Sequence, residues 1–184
     1  MIKLYQECGD KMEKYVPDLY QKSIYTINYD NLLSRGIKFL IFDLDNTIAL
    51  ITDRHATKEA IELFQELKKK KFKIMIASNS ISNRVKIFAD ELGIEYKSNC
   101  RKPKAKELEQ YILNSGYKLA EIAIIGDSMT DDVVCGNRIG ITTILTDQLG
   151  KREFILAHFR RRRERKIQKK LRDHNLFTKG RYYE

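Results

Sequence analysis

Three cysteines in 184 residues, Cys8, Cys100 and Cys135, are odd in number and far apart. That spacing excludes a disulfide framework and paired zinc knuckles, so they read as reduced, non-ligand thiols. Two prolines and nine glycines are too few for a low-complexity chain. Long apolar runs are also missing. Stretches such as Phe39 to Phe42 and Ile122 to Ile125 are a fraction of the ~20 residues that a membrane-spanning helix needs. Nor is there a basic n-region followed by an apolar h-region after Met1, so no secretory signal is expected and the expected location is the cytoplasm. What remains is 42% hydrophobic and 33% charged, enough to bury a core. The length suits one α/β domain of about 150 residues plus an appendage.

Charge is unevenly placed. Residues 1–150 carry 22 Lys+Arg against 21 Asp+Glu, whereas residues 151–184 carry 13 against 4. This predicts a near-neutral body at 37–150, an N-terminal extension at 1–36 that packs on it, and a basic, anion-seeking extension at 151–184. Tyr5, Tyr15, Tyr20, Tyr25 and Tyr29 of the first extension are read as packing residues.

Within the body, strand and helix signals alternate. Lys38 to Phe42, Lys73 to Ala77, Ile122 to Ile125 and Ile141 to Leu145 are short apolar runs bounded by polar or turn residues, the pattern of buried strands. Between them, Thr57 to Lys71 repeats apolar residues at three and four with Thr57 as N-cap. A second helix carries Val85, Phe88, Ala89 and Leu92 and stops at Gly93; a third spans Lys104 to Ser115, and a short one Asp132 to Arg138. Unbroken rather than alternating strands imply a parallel sheet covered on both faces, an α/β Rossmann-like architecture that binds ligands at the carboxyl ends of its strands.

The polar clusters fall at those ends. Asp43 and Asp45 follow the first strand, Ser78 and Asn79 the second, and Asp127, Asp131 and Asp132 the third. Carboxylates gathered at one edge repel one another and call for a cation, and hard oxygen ligands favour Mg2+.

In order, Asp43-Leu44-Asp45-Asn46-Thr47, Ser78, Arg101-Lys102-Pro103 and Gly126-Asp127 through Asp132 resemble the four motifs of the haloacid dehalogenase (HAD) superfamily. The resemblance implies that Asp43 is the nucleophile, forming an aspartyl phosphate, and Asp45 the general acid and base. It further implies that Ser78, with neighbouring Asn79, and Lys102 bind the phosphoryl group. Asp43, Asp127 and the Asp45 carbonyl would ligate Mg2+, with Asp132 holding a metal-bound water. Lys104 is the alternative to Lys102, and Asp131 the alternative to Asp132. The distances Asp45 to Ser78 and Ser78 to Lys102 leave no room for an inserted cap domain, so an open site is expected.

Pro17-Asp18-Leu19-Tyr20, Arg35-Gly36-Ile37-Lys38, Gly136-Asn137-Arg138-Ile139-Gly140 and the basic end extend the likeness. Together they are similar to the YqeG-type branch of HAD subclass IIIA, related to the phosphatidylglycerophosphate phosphatases. This implies a phosphomonoester hydrolase, with a phospholipid headgroup as the substrate class. A soluble sugar phosphate or a nucleic-acid end is the alternative for the same chemistry; a non-catalytic scaffold using the basic tail is the alternative of another class.

From Lys151 to Arg172 there are 11 basic residues, with Ile155, Phe159, Ile167 and Leu171 at multiples of four. A helix there would show an apolar stripe within a cationic surface and is expected to bind an anionic membrane peripherally. A solvated, frayed terminus is the plain alternative. Without interleaved stacking aromatics, nucleic-acid binding is not expected.

Overall fold

The computed structural model describes residues 12–150 and 155–184, the side chains of 155–161 apart. Tyr5, Cys8 and the tail position Lys151, with the side chains of Ile155, Phe159, Arg160 and Arg161, lie outside the described residues.

Six strands form one parallel sheet: β1 (Leu19–Gln21), β2 (Phe39–Phe42), β3 (Lys73–Ala77), β4 (Glu95–Lys97), β5 (Ile122–Gly126) and β6 (Thr142–Thr146), in the spatial order β1-β6-β5-β2-β3-β4. The helices are α1 (Tyr29–Ser34), α2 (Lys58–Lys69), α3 (Arg84–Leu92), α4 (Lys106–Leu113), α5 (Val134–Ile139) and α6 (Ile155–Asp173). This is the expected α/β Rossmann-like class. Period-two projection from fully buried strands builds two cores at once. Leu40 and Phe42 of β2, Ile74 and Ile76 of β3 and Ala123 and Ile125 of β5 join Phe64, Leu67 and Phe88 on one face. Phe39, Ile41, Met75, Ile122 and Ile124 meet Leu108, Ile112 and Cys135 on the other.

The punctuation of the helices follows the sequence. Thr57 Oγ1 accepts from Ala60 N at 3.1 Å to start α2, and Gly93 ends α3 in the left-handed region at φ 62°. The expected helix at Asp132 to Arg138 is divided: Met129–Val133 forms a single π turn and α5 begins only at Val134. α5 lies close on the sheet because Gly136 has no side chain; a Cβ there would stand 2.4 Å from Thr143 Cγ2 and 2.5 Å from Ile124 Cγ2.

The C-terminal segment returns to β1. β1 pairs with β6, and Tyr183 forms an antiparallel bridge with Tyr20. Tyr20 and Tyr29 are buried, while Tyr15 and Tyr25 are half-buried against the cores. A third cluster joins Tyr20, Met129, Val133 and Leu145 to Ile167 and Leu171 of α6 and to Phe177. Here the membrane-facing stripe expected of the tail is corrected: its described apolar residues, Ile167 and Leu171, are covered by the body of the protein and are not offered to a bilayer. Among the described residues no helix is long and apolar enough to cross a membrane.

Candidate active site

Because β2 lies between β3 and β5, the loops that leave these three strands open at one place. Hydrogen bonding runs past the end of β2, from Asp43 N to Ile125 O at 2.8 Å, so Asp43 is delivered to the sheet edge by the ladder itself. The chain then reverses through Asn46, whose φ of 64° suits asparagine better than most residues. β5 ends at Gly126, where a Cβ would lie 2.2 Å from Asp132 Cγ. Only glycine lets the Asp132 carboxylate fold back over the strand end.

Asp43, Asp127 and Asp132 each present a carboxylate oxygen within 4.8 Å of the others. Lys102 lies among them. Its Nζ donates to Asp43 Oδ1 at 2.7 Å, Asp132 Oδ1 at 2.6 Å and Ala77 O at 2.6 Å. All of its donors are thereby used. Burial disfavours the lysine's charge, but Asp132 and Asp43 outweigh that and hold its pKa well above the ordinary value. Asp43, by contrast, is pushed up to about 7, chiefly by burial and further by Asp132 and Asp45, with Lys102 opposing. Burial likewise drives Asp127 well up, reinforced by Asp43 and Asp132. Its partners are neutral: Thr47 Oγ1 donates to Asp127 Oδ1 at 3.4 Å, and the Gln148 side chain bonds it too.

One lysine thus neutralises part of a buried group of carboxylates. All three are hard oxygen donors with no nitrogen or sulfur among them, a set that fits a divalent cation of the Mg2+ or Ca2+ type. Asp43, Asp127 and Asp132 would hold it. Asp131 also lines the cavity but is not in this close group, and Lys104 is not among the lining residues.

Ser78, Asn79 and Asp45 line the same cavity. Ser78 is buried, and its Oγ accepts from Ser80 N at 3.1 Å. Asn79 clamps the Lys102 backbone, donating from Nδ2 to Lys102 O at 2.9 Å and accepting from Lys102 N at 2.6 Å. In this arrangement its amide positions the lysine loop and is already engaged on both sides. Asp45 forms an ion pair with Arg84 Nη1, while Arg84 Nη2 donates to Leu50 O at 2.6 Å and Nε to Asp53 O at 2.5 Å.

Three lining or adjoining residues escape the motif reading: Arg84, Gln148 and Glu164. Glu164, on α6, lines the cavity and accepts from Met129 N at 2.7 Å. Its position is readable in retrospect: it is the acid that precedes Ile167 and Leu171 by three and seven on one helical face. Arg84 and Gln148 carry no comparable signal.

The family model for mitochondrial PGP phosphatase matches residues 9–150. The chain is 36% identical to the probable phosphatase YqeG of Bacillus subtilis over 153 residues, which cover 83% of this chain and 89% of that protein. Against phosphatidylglycerophosphate phosphatase 1, chloroplastic/mitochondrial, of Arabidopsis thaliana it is 28% identical over 160 residues, 79% of this chain but only 45% of the plant protein. Two solved structures share the fold. An uncharacterized protein from Listeria monocytogenes has a TM-score of 0.50 at 18% identity, over 65% of this chain and 86% of that one. A hypothetical protein from Xanthomonas campestris has 0.51 at 14%, over 66% and 70%. With a family match across most of its length and an acidic cluster at the carboxyl edge of a parallel sheet, the chain belongs to the PGP phosphatase family and is a HAD-type phosphatase.

Proposed function

We propose that the protein is a Mg2+-dependent phosphatase that hydrolyses a phosphomonoester on a phospholipid headgroup, most specifically phosphatidylglycerophosphate, while held peripherally on the cytoplasmic side of an anionic membrane. In this reading Asp43 attacks phosphorus, the ester P–O bond breaks, and Asp45 gives its proton to the departing alkoxide. A water molecule then attacks the aspartyl phosphate and loses its proton to Asp45, releasing inorganic phosphate and restoring Asp43. Ser78 binds phosphoryl oxygens and Lys102 sets positive charge against them. A divalent cation held by Asp43, Asp127 and Asp132 would screen the carboxylates and polarise a phosphate oxygen.

The observation that carries the lipid part is the rim of the site. Ile51 lines the cavity and is 40% exposed, Ile81 is 82% exposed two residues beyond the lining residue Asn79, and Leu149, 39% exposed, follows the lining residue Gln148. Exposed aliphatic side chains thus leave three separate loops around one opening. Beside it, α6 exposes Arg162, Arg163, Arg165 and Lys166 on either side of the lining residue Glu164. An apolar rim next to a cationic helix suits an anionic interface, where each engaged Lys or Arg contributes ~1 kcal/mol. The connections from β2 and β3 contain one crossover helix each, which supports an open mouth able to admit a headgroup still anchored in its membrane.

The test is phosphate release from phosphatidylglycerophosphate in anionic vesicles, compared with soluble sugar phosphates, with Mg2+ or EDTA. Turnover is expected to prefer the vesicles, to vanish in EDTA and to fall by about 10³-fold or more in Asp43→Asn. Faster turnover of sugar phosphates would overturn the substrate; normal turnover in Asp43→Asn would overturn the covalent mechanism.

A further inference from the structure

The turn that carries Asp132 is held by its first few amide groups, and one of their partners comes from far along the chain. Ser128 N donates to Asp132 Oδ2 at 3.1 Å and Asp131 N to Ser128 Oγ at 3.2 Å, both within the turn. Met129 N instead donates to Glu164 Oε1 on α6, at 2.7 Å. Met129 begins the π turn whose amides have no earlier helical carbonyl to bond, so an external acceptor there decides how the turn sits. The Asp132 carboxylate leaves this turn to reach Lys102 and the close group with Asp43 and Asp127.

Packing alone does not call for an acid at this place. Ile167 and Leu171, one and two turns on, dock α6 against Met129 and Val133 by apolar burial. A carboxylate here is disfavoured by burial first and further by Asp131 and Asp132, with the Met129 N–H and Lys179 opposing, and its pKa is raised on balance. That cost is offset where the oxygen takes a backbone donor that would otherwise go unmet.

We propose that Glu164 is a positioning residue: by accepting the Met129 N–H it fixes the 128–133 turn and with it the aim of Asp132, so that cation affinity at Asp43, Asp127 and Asp132 depends on the docking of the C-terminal helix. The proposal rests on the reading of those three carboxylates as a divalent-cation site. It makes α6 a wall of the active site as well as a cationic surface, and ties the basic extension to the chemistry through one hydrogen bond.

Full-length Glu164→Ala, Glu164→Asp and Glu164→Gln, each checked for a native circular dichroism spectrum, separate the alternatives. Mg2+ binding is measured by calorimetry without substrate, and the Mg2+ dependence of phosphate release from p-nitrophenyl phosphate alongside it. Alanine removes the acceptor, and aspartate keeps the charge but is one methylene short; both are expected to weaken Mg2+ binding about 10-fold, the usual scale for residues that orient metal ligands. Glutamine keeps an oxygen at the same reach and is expected to bind Mg2+ within about 3-fold of the parent. Should the alanine variant not fold, the aspartate variant alone decides. Parent-like affinity in the alanine or aspartate variant overturns the positioning role, and so does a glutamine variant as weak as alanine, since charge and not the hydrogen bond would then be responsible. A parent chain that binds no Mg2+ overturns the cation-site reading itself, and the positioning role with it.

Discussion

Lys102 is the residue on which the charge balance of the site turns. It is 5% exposed and joined to two carboxylates and a carbonyl. Replacing it by methionine keeps the stem and leaves Asp43 and Asp132 without their cation. Breaking a buried ion pair from one side costs about 3–5 kcal/mol. In EDTA the Lys102→Met protein is therefore expected to unfold in urea with a stability lower by at least the bottom of that range, and Mg2+ is expected to restore part of it. An unchanged urea midpoint in EDTA would show that the lysine does not compensate the carboxylates. Asp43 supplies the pH dependence. Its folded-state pKa is raised from 3.8 to about 7, so the folded chain holds this proton more tightly than the unfolded chain does. The stabilisation is present below the unfolded value and lost as pH rises through the folded one. Metal-free protein should accordingly lose stability between about pH 4 and pH 7, by up to ~1.4 kcal/mol per unit while this group alone titrates. Asp43→Asn should flatten that slope. Protons and Mg2+ compete for the same oxygens, so the Mg2+ concentration for half-activity should rise as pH falls below about 7. A half-activity concentration that stays level from pH 8 to pH 6 would contradict this.

At the scale of the element, the junction of β5 with its following turn depends on a missing side chain. Gly126→Ala places a Cβ 2.2 Å from Asp132 Cγ and 2.7 Å from Asp132 Cβ, too near the root of that side chain for a rotamer change to relieve. Asp132 must leave, and its bonds to Ser128 N and Lys102 go with it. The variant is expected to fold and to lose roughly 10–100-fold in Mg2+ affinity, measured by the same calorimetric titration. Here the sequence was informative, because a glycine followed by aspartate at the end of an apolar run announces such a junction. The four central strands were legible for a related reason: strands buried on both faces are apolar throughout. The edges were not. β4 reads Glu95-Tyr96-Lys97, with two residues exposed, and β1 is only three residues long. An edge strand is held by its backbone ladder, which leaves no apolar signature. The expected helix took in only Asp132 and Val133 of the π turn, which begins at Met129. Within the site, Asp43, Ser78 and Asp127 stand at strand ends where topology collects polar residues and Lys102 lies in the loop after β4, whereas Arg84, Gln148 and Glu164 arrive from a helix start, a late loop and the tail, and only tertiary packing brings them in.

Across the whole molecule, the C-terminal extension closes the fold before it does anything else. Its acidic and apolar residues Glu164, Ile167 and Leu171 turn inward, Phe177 packs on Tyr20 with ring centroids 5.0 Å apart, and Tyr182 donates to Asp147 Oδ2 at 2.6 Å beside the Tyr20 hydroxyl bond to the same carboxylate. The spacing of apolar residues predicts a stripe in a basic helix, but a stripe of this kind does not say whether a membrane or the protein's own body covers it. Cutting the chain after Gly150 therefore does two things at once. It removes the cations, and it uncovers Tyr20, Met129, Val133 and Leu145. Loss of vesicle binding in such a truncation would say nothing about lipids. Leu171 is fully buried, and Leu171→Ala alone should cost about 2–5 kcal/mol, read as a lowered urea midpoint. The membrane role is tested instead by reversing exposed charge on an intact fold. A full-length chain with Arg162, Arg163, Arg165 and Lys166 changed to Glu should keep the parent's unfolding free energy within about 0.5 kcal/mol per site, as exposed positions do. It should hydrolyse p-nitrophenyl phosphate at a rate close to the parent's, yet lose co-sedimentation with phosphatidylglycerol vesicles and turnover of vesicle-borne substrate together. Binding that survives four reversals would remove the cationic helix from the interface, leaving the rim of Ile51, Ile81 and Leu149 to be tested alone.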